Sequence, residues 1–319
     1  MRIDWHKRLG GQKLSRIFEN FDSEAKALWG NNIVDLRHTL HKRDLFTKEK
    51  LGAILDAIPE GHMAINTMGR AGHDTRTWSY CQRGDLSGVQ LIDAVQQGRI
   101  WINAPKIQNV SKEFADLLED MFGEIETHVP DFGVYRKSIG LLVSSPNAQV
   151  FYHADVPGQS LWQISGEKRI YIYPNHEPFL KATALENIIR RTTEEEVDYQ
   201  PWFDKYAQVI DLKPGDMAHW PLNGPHRVEN KDCLNISLTT EHWTPEIRRH
   251  YAVRFGNGVL RQFGWKPKST DLYGPTAWAK FGLTAAWRLS GQQERQAFRP
   301  QMRFKLDTAE PGLLVPLAA

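Results

Sequence analysis

The spacing of apolar residues along this chain changes twice. Between Ser111 and His128 they fall at Phe114, Leu117, Leu118, Met121, Phe122 and Ile125, the three-and-four rhythm of an amphipathic helix. Two shorter helices are predicted before it. One opens on Thr47 as N-cap and runs through Leu51, Ile54 and Leu55. The other follows Asp85-Leu86-Ser87, carries Val89 to Val95 and stops at Gly98, ahead of a strand-like Ile100-Trp101-Ile102. From Ser138 the rhythm becomes that of short strands, at 138–144, 149–153, 161–164, 169–173, 209–212, 217–220 and 235–240, several set apart by Pro-Gly or Asn-Gly. Leu234, Ile236 and Leu238 alternate with Asn235, Ser237 and Thr239, which predicts one packed face and one polar face for the last strand. After Pro245 the pattern turns helical again, with Trp278, Phe281 and Trp287 beside Lys280 and Arg288.

The fold class these rhythms predict is mainly β with flanking helices. Residues 1–130 are expected to be mostly helical and to pack on the core. Residues 131–245 are expected to form a sandwich or barrel, interrupted by a charged, helix-like insertion at 175–208, and 246–319 a helical region and candidate dimerisation element. No internal repeat is present.

Composition narrows the function class. A chain of 319 residues, 41% of them hydrophobic, can bury at least one full core. Its 40 basic and 38 acidic residues leave a net charge of +2, so no global field gathers nucleic acid or an anionic membrane. The basic stretches Arg248-Arg249-His250…Arg254 and Arg299…Arg303…Lys305 read as solvated faces. Two cysteines, Cys81 and Cys233, cannot build a disulfide framework, which fits a reducing cytoplasm. Met1-Arg2-Ile3-Asp4-Trp5-His6-Lys7 is charged where a signal peptide would be apolar, and no run reaches the roughly 18 apolar residues of a spanning helix. A cytoplasmic protein with no membrane span and no nucleic-acid partner is expected.

Candidate chemistry gathers in the β-rich region. On an extended strand residues i and i+2 point the same way, so His153 and Asp155 present an imidazole and a carboxylate to one point. Asp211 to Asp216 forms a strand-and-turn signal, and the next strand, Met217 to Pro221, delivers His226 just beyond it. Two histidines and a carboxylate on one face leave three coordination positions open, the facial triad of non-haem Fe(II) chemistry. Lys168 follows a Ser165-Gly166 turn at the start of another strand, and a lysine on an inner face demands an acidic partner. His219, on the strand before His226, reads as structural, because the triad already has its third ligand.

The motifs Phe151-Tyr152-His153-Ala154-Asp155, Trp162 to Arg169, and Pro214-Gly215-Asp216…Trp220-Pro221…His226 to Asn230 resemble those of the JmjC and cupin-like Fe(II)/2-oxoglutarate oxygenases, especially the branch of the asparaginyl hydroxylases. The resemblance covers about 138–243 and implies a double-stranded β-helix, or jelly-roll, core. It implies Fe(II) on His153, Asp155 and His226, with Lys168 pairing with the distal carboxylate of 2-oxoglutarate as co-substrate. Gln159 stands where relatives place an amide near the co-substrate, while Val150 replaces a frequent hydroxyl residue, so Ser144 or Ser237 is expected to supply one. Glu241 occupies a position that is Asn in the hydroxylase branch, and a second carboxylate in the lumen would repel 2-oxoglutarate unless protonated or paired.

The expected activity is therefore hydroxylation of a protein or peptide side chain or of a small metabolite, with a homodimer through the C-terminal helices. Two other classes stay open on the same residues. A metal-binding cupin without 2-oxoglutarate, an isomerase or simple dioxygenase, needs the triad but not Lys168; a non-catalytic ligand-sensing module needs only the pocket.

Overall fold

Two sheets of unequal size form the centre of the protein, which is described from a computed structural model over residues 16–69, 77–195, 197–310 and 312–317. The charged stretch Met1 to Lys7 and Glu196 of the insertion lie outside the described residues. The elements of the first half are α1 (Ser23–Leu28), β1 (Val34–Arg37), α2 (Lys48–Ala57), β2 (Ala64–Thr67), β3 (Ser79–Gln82), α3 (Gly88–Gln97), β4 (Ile100–Ala104), α4 (Lys112–His128), β5 (Arg136–Ser144) and β6 (Gln149–His153). Then follow β7 (Gly158–Ser165), β8 (Lys168–Ile172), α5 (Ala182–Arg190), β9 (Gln208–Leu212), β10 (Asp216–His219), β11 (His226–Asn230) and β12 (Asn235–Trp243). The C-terminal part contributes α6 (Pro245–Gln262), α7 (Pro275–Leu289), α8 (Gln292–Gln296), β13 (Met302–Leu306) and β14 (Leu314–Pro316).

The larger sheet has ten strands in the order β1-β10-β7-β12-β5-β4-β2-β3-β13-β14, and the smaller has four, β6-β11-β8-β9. Between them Leu161 and Ala218 of the larger sheet pack with Ile170, Ile172, Leu212 and Val228 of the smaller. The outer face of the larger sheet, with Leu141, Val143, Trp162 and Leu238, is covered by α2, α3 and α4. Helix α3 is set by a reciprocal Ser87–Gln90 capping box, and α4 buries the stripe Phe114, Leu117, Leu118, Met121, Phe122 and Ile125 read from its periodicity. The outer face of the smaller sheet, with Tyr152 and Tyr173, is covered by α5, by Phe179 and Phe203 of the insertion, and by Phe255 and Val259 of α6.

The sheet does not respect the expected boundaries. Strands β1 to β4 come from the first 130 residues, where only β4 was expected, as the Ile100-Trp101-Ile102 run, and β13 and β14 come from the last stretch, where helix was expected. Most are three to five residues long, too short to show a period, and their partners are remote: β13 lies parallel to β3, with Phe304 opposite Cys81. Among the described residues no helix is long and apolar enough to cross a membrane.

Candidate active site

Strand pairing, rather than loop conformation, sets the geometry of the site. In the antiparallel β6–β11 pair His153 stands directly opposite His226, with ring centroids 4.1 Å apart. Each Nδ1–H donates to a carbonyl two residues upstream, His153 to Phe151 at 2.8 Å and His226 to Gly224 at 3.0 Å. A carbonyl can only accept, so the proton sits on Nδ1 and each Nε2 keeps a free lone pair. Asp155 follows after β6 has ended. The Ala154 N–H donates to the Glu195 carbonyl at 3.1 Å, so the insertion extends the strand's pairing. His153 and Asp155 both line the cavity between the sheets while Ala154 packs on the outer side.

The Asp155 Oδ2 lies 3.4 Å from His226 Nε2, and one ligand atom from each of His153, Asp155 and His226 falls within 4.8 Å of the others. Burial raises the Asp155 carboxyl, against the lowering pull of His153 and Gln159. Burial and His153 together hold the His226 imidazole well below its ordinary value. Two imidazoles and one carboxylate, converging on one point, fit a divalent cation bound on one side and open on the other. His226 arrives just beyond the strand expected to deliver it. Strand β10 belongs to the larger sheet, and the chain crosses between sheets before His226 opens β11 in the smaller one.

Lys168 begins β8, where it shares a face with Ile170 and Ile172 and is only 3% exposed. Among the described residues no carboxylate or hydrogen-bond acceptor meets its ammonium. Burial alone pushes its pKa down to about 7, with only a small opposing pull from Cys233. The lysine lines the same cavity of ≈ 630 Å³ as the triad. A buried ammonium with no protein carboxylate against it favours an anionic partner, and it shares its cavity with the triad.

The remaining candidates divide by depth along the strands. Gln159 lines the cavity, and its Oε1 is buried without a partner. Ser144 also lines it and accepts from Asn230 Nδ2 at 2.8 Å; Asn230 pairs with Lys168 in the β8–β11 register. Ser237 does not reach the cavity: it is fully buried and donates to Gln163 Oε1 at 2.7 Å, one strand pair deeper than the lining residues Thr239 and Leu161. Of the two serines expected to offer a hydroxyl, Ser144 reaches the cavity and Ser237 does not. His219 faces away and is spent on structure, stacking on Trp29 with centroids 4.0 Å apart and bonding to the Gln159 carbonyl at 2.8 Å.

Glu241 faces the cavity, but at the other end from Lys168. It sits opposite Gln159 and Ser138, and Ser138 Oγ donates to its Oε2 at 3.0 Å. Ser144, on the Lys168 side, pairs with Asn235, six residues earlier on β12. At ~3.3 Å per residue that is roughly 20 Å of strand. Burial raises the Glu241 carboxyl, Ser138 opposes, and Asp155 adds to the rise. Glu241 is thus a neighbour of the triad rather than a competitor for Lys168.

Several lining residues were invisible in the local pattern. Trp78 and Tyr80 reach the cavity beside and within β3, Glu194 and Glu195 come from the insertion, and Arg299 and Arg303 from the C-terminal segment. The two arginines are exposed, as a solvated face requires, and stand at the rim of the cavity, Arg303 on β13, which pairs with β3. Glu195 is exposed as a residue, yet the surrounding walls and its neighbours Asp155 and Glu241 push its carboxyl up to about 8. Only Trp101 had a signal, as the middle of the apolar Ile100-Trp101-Ile102 run.

Two facing sheets with a helical outer layer and a triad between the sheets form a jelly-roll core. No protein-family model matches the chain, and no curated protein matches it. Among solved structures it is similar to the X-ray structure of E. coli YcfD, with a TM-score of 0.52, 15% identity, and coverage of 88% of this chain and 70% of that one. It is also similar to YcfD described as a ribosomal oxygenase from Escherichia coli in complex with cobalt and 2-oxoglutarate, with a TM-score of 0.50, 14% identity, and coverage of 91% and 75%.

Proposed function

We propose that this protein is an Fe(II)/2-oxoglutarate-dependent oxygenase that hydroxylates a protein or peptide side chain. The observation that carries the reading is Lys168, buried and unpaired, in one cavity with His153, Asp155 and His226. A cupin that used the metal alone would have no use for that ammonium, and an unpaired buried charge is costly to keep. The structural likeness to a ribosomal oxygenase bound to cobalt and 2-oxoglutarate supports the same co-substrate and a macromolecular substrate.

His153 and His226 would hold the metal through Nε2, each fixed in tautomer by its carbonyl, with Asp155 as the anionic ligand. When bound, Fe(II) supplies the oxygen-activating chemistry that couples decarboxylation of 2-oxoglutarate to succinate with oxygen insertion. Lys168 and Ser144 would fix the distal carboxylate, which sets how far the other end of the co-substrate extends toward the triad. Leu161, Trp220 and Val228 exclude water from that path. Glu241 and Gln159 flank the triad at the mouth, where a substrate side chain enters.

A homodimer through the C-terminal helices belongs to the same proposal. Trp278, Tyr273 and Leu289 are 64%, 66% and 88% exposed on or beside α7, an apolar surface uncommon on a monomer. Free Cys81 and Cys233 suit a reducing, cytoplasmic compartment. The test is calorimetry of the metal-loaded protein with 2-oxoglutarate, followed by a succinate assay and a search for peptides that gain one oxygen atom. Absence of 2-oxoglutarate binding, or equal binding by Lys168→Ala, would overturn the reading.

A further inference from the structure

A second cavity lies away from the jelly-roll lumen, between α5, α6 and the loop that follows α6, with a volume of ≈ 420 Å³. Arg254, Asn257 and Arg261 enter it from one face of α6, at the i, i+3, i+7 spacing of a helical stripe. Lys266 and Lys268 enter from the loop, and Glu186 from α5. The loop is tied down by Asn257 Nδ2 and the buried Lys280 Nζ, which donate to the Ser269 carbonyl at 3.1 and 2.6 Å.

The charges do not balance. Glu186 is the one carboxylate lining the cavity among the described residues, and its Oε2 is taken by Arg261 Nε at 2.6 Å. Arg254, Lys266 and Lys268 are left without an ion-pair partner among the described residues. The Arg254 Nε is buried with no hydrogen-bond partner, and burial lowers the pKa of Arg254 and of the adjoining Lys280. The half-buried Arg254 and the exposed Lys266 and Lys268 converge on one cavity without a carboxylate of their own, which marks a site for an anion. Arg254 also departs from the solvated face expected of it.

Two further atoms identify the anion. Glu186 Oε1 and Asn257 Oδ1, on two residues that line the cavity, are buried without partners, and both are acceptors. A fully deprotonated oxyanion would be repelled there. An oxyanion that carries a proton can donate it to Glu186 while its other oxygens accept from the cations. We propose that this cavity binds a protonated phosphate group, inorganic phosphate or a phosphate monoester, with Arg254, Lys266 and Lys268 holding its oxygens and Glu186 accepting its hydroxyl proton.

The experiment is calorimetric titration of the full chain with inorganic phosphate, a nucleoside monophosphate and sulfate at matched ionic strength. Saturable binding of one phosphate per chain is expected, with sulfate at least about tenfold weaker because it has no proton to give Glu186. Tighter binding of the monophosphate assigns the site to an ester; equal or weaker binding assigns it to free phosphate. Arg254→Gln should weaken phosphate at least about tenfold. Lys266→Gln with Lys268→Gln, at exposed positions, tests the same point without touching the packing. Glu186→Gln should narrow the preference for phosphate over sulfate, which a purely structural role for Glu186 would leave unchanged. No saturable phosphate binding, binding unaltered in the double lysine variant, or sulfate binding as tightly as phosphate would each overturn the proposal. Binding of 2-oxoglutarate in the jelly-roll lumen serves as the internal control for folding and is independent of all these outcomes.

Discussion

His226 stands opposite His153 in the β6–β11 register, so backbone pairing alone brings the two imidazoles to 4.1 Å between ring centroids. Each ring is turned by a carbonyl on its own strand or turn, and Asp155 completes the set from the segment pinned by Glu195. Metal affinity should therefore depend on all three side chains. Replacing either histidine by alanine, or Asp155 by alanine, should lower the affinity for a divalent ion by more than ~100-fold, beyond the loss usual for an outer-shell partner. Cobalt titration followed by visible absorption checks this. Cobalt bound as tightly by the His226→Ala variant would place the metal elsewhere.

Lys168 costs stability while its ammonium has no partner. A lysine whose pKa falls from 10.5 to about 7 on folding carries a penalty that is full below pH 7 and fades as pH rises toward 10.5. Lys168→Met keeps the length and removes the charge, so it should stabilise the ligand-free protein by ~1–4 kcal/mol at pH 6. The gain should shrink toward pH 10, and 2-oxoglutarate binding should be lost. Urea unfolding at the two pH values reads the effect; a destabilised Lys168→Met at pH 6 would mean that the ammonium has a partner after all.

The same shift links co-substrate binding to protons. Near pH 8 the free Lys168 is largely neutral, and a bound carboxylate must draw a proton onto it. Binding to the metal-loaded protein should then take up close to one proton at pH 8 and almost none at pH 6. Affinity should weaken by up to tenfold per unit above about pH 7. Calorimetry in two buffers of different ionisation enthalpy measures the uptake, and a proton count of zero at pH 8 contradicts the assignment of Lys168.

How much of this was legible before folding depends on what sets each residue's position. His153 and Lys168 lie on β6 and β8, the strands on either side of β11, and Asp155 just past the end of β6; period-two alternation suggested their faces, while the role of Lys168 as an anchor came from the resemblance. Alternation gives the face but not the level along it. Ser237, Thr239 and Glu241 share one face of β12, yet Ser237 is buried against Gln163, Thr239 lines the cavity and Glu241 stands by the triad. Glu241 threatened the co-substrate on paper for the same reason. Tyr80 and Arg303 were out of reach, because β3 and β13, which carry them, pair in parallel from more than two hundred residues apart in sequence.

One of those remote residues controls the segment that carries Asp155. The Tyr80 hydroxyl donates to Glu194 Oε1 at 2.7 Å, and the neighbouring Glu195 carbonyl receives the Ala154 N–H at 3.1 Å. Val197 N–H donates back to the Tyr152 carbonyl at 3.2 Å, so the insertion flanks β6 on both sides of His153. Tyr80→Phe removes the anchor without opening a cavity and should cost ~1 kcal/mol of local stability. If strap and strand open together, the amides of Ala154 and Val197 should exchange with solvent roughly fivefold faster, while those in α4 stay unchanged. Metal affinity should fall with them, because Asp155 is then held less often in place. Exchange confined to wild-type rates at both amides would show that the strap is held by its own packing and that Tyr80 does not govern Asp155.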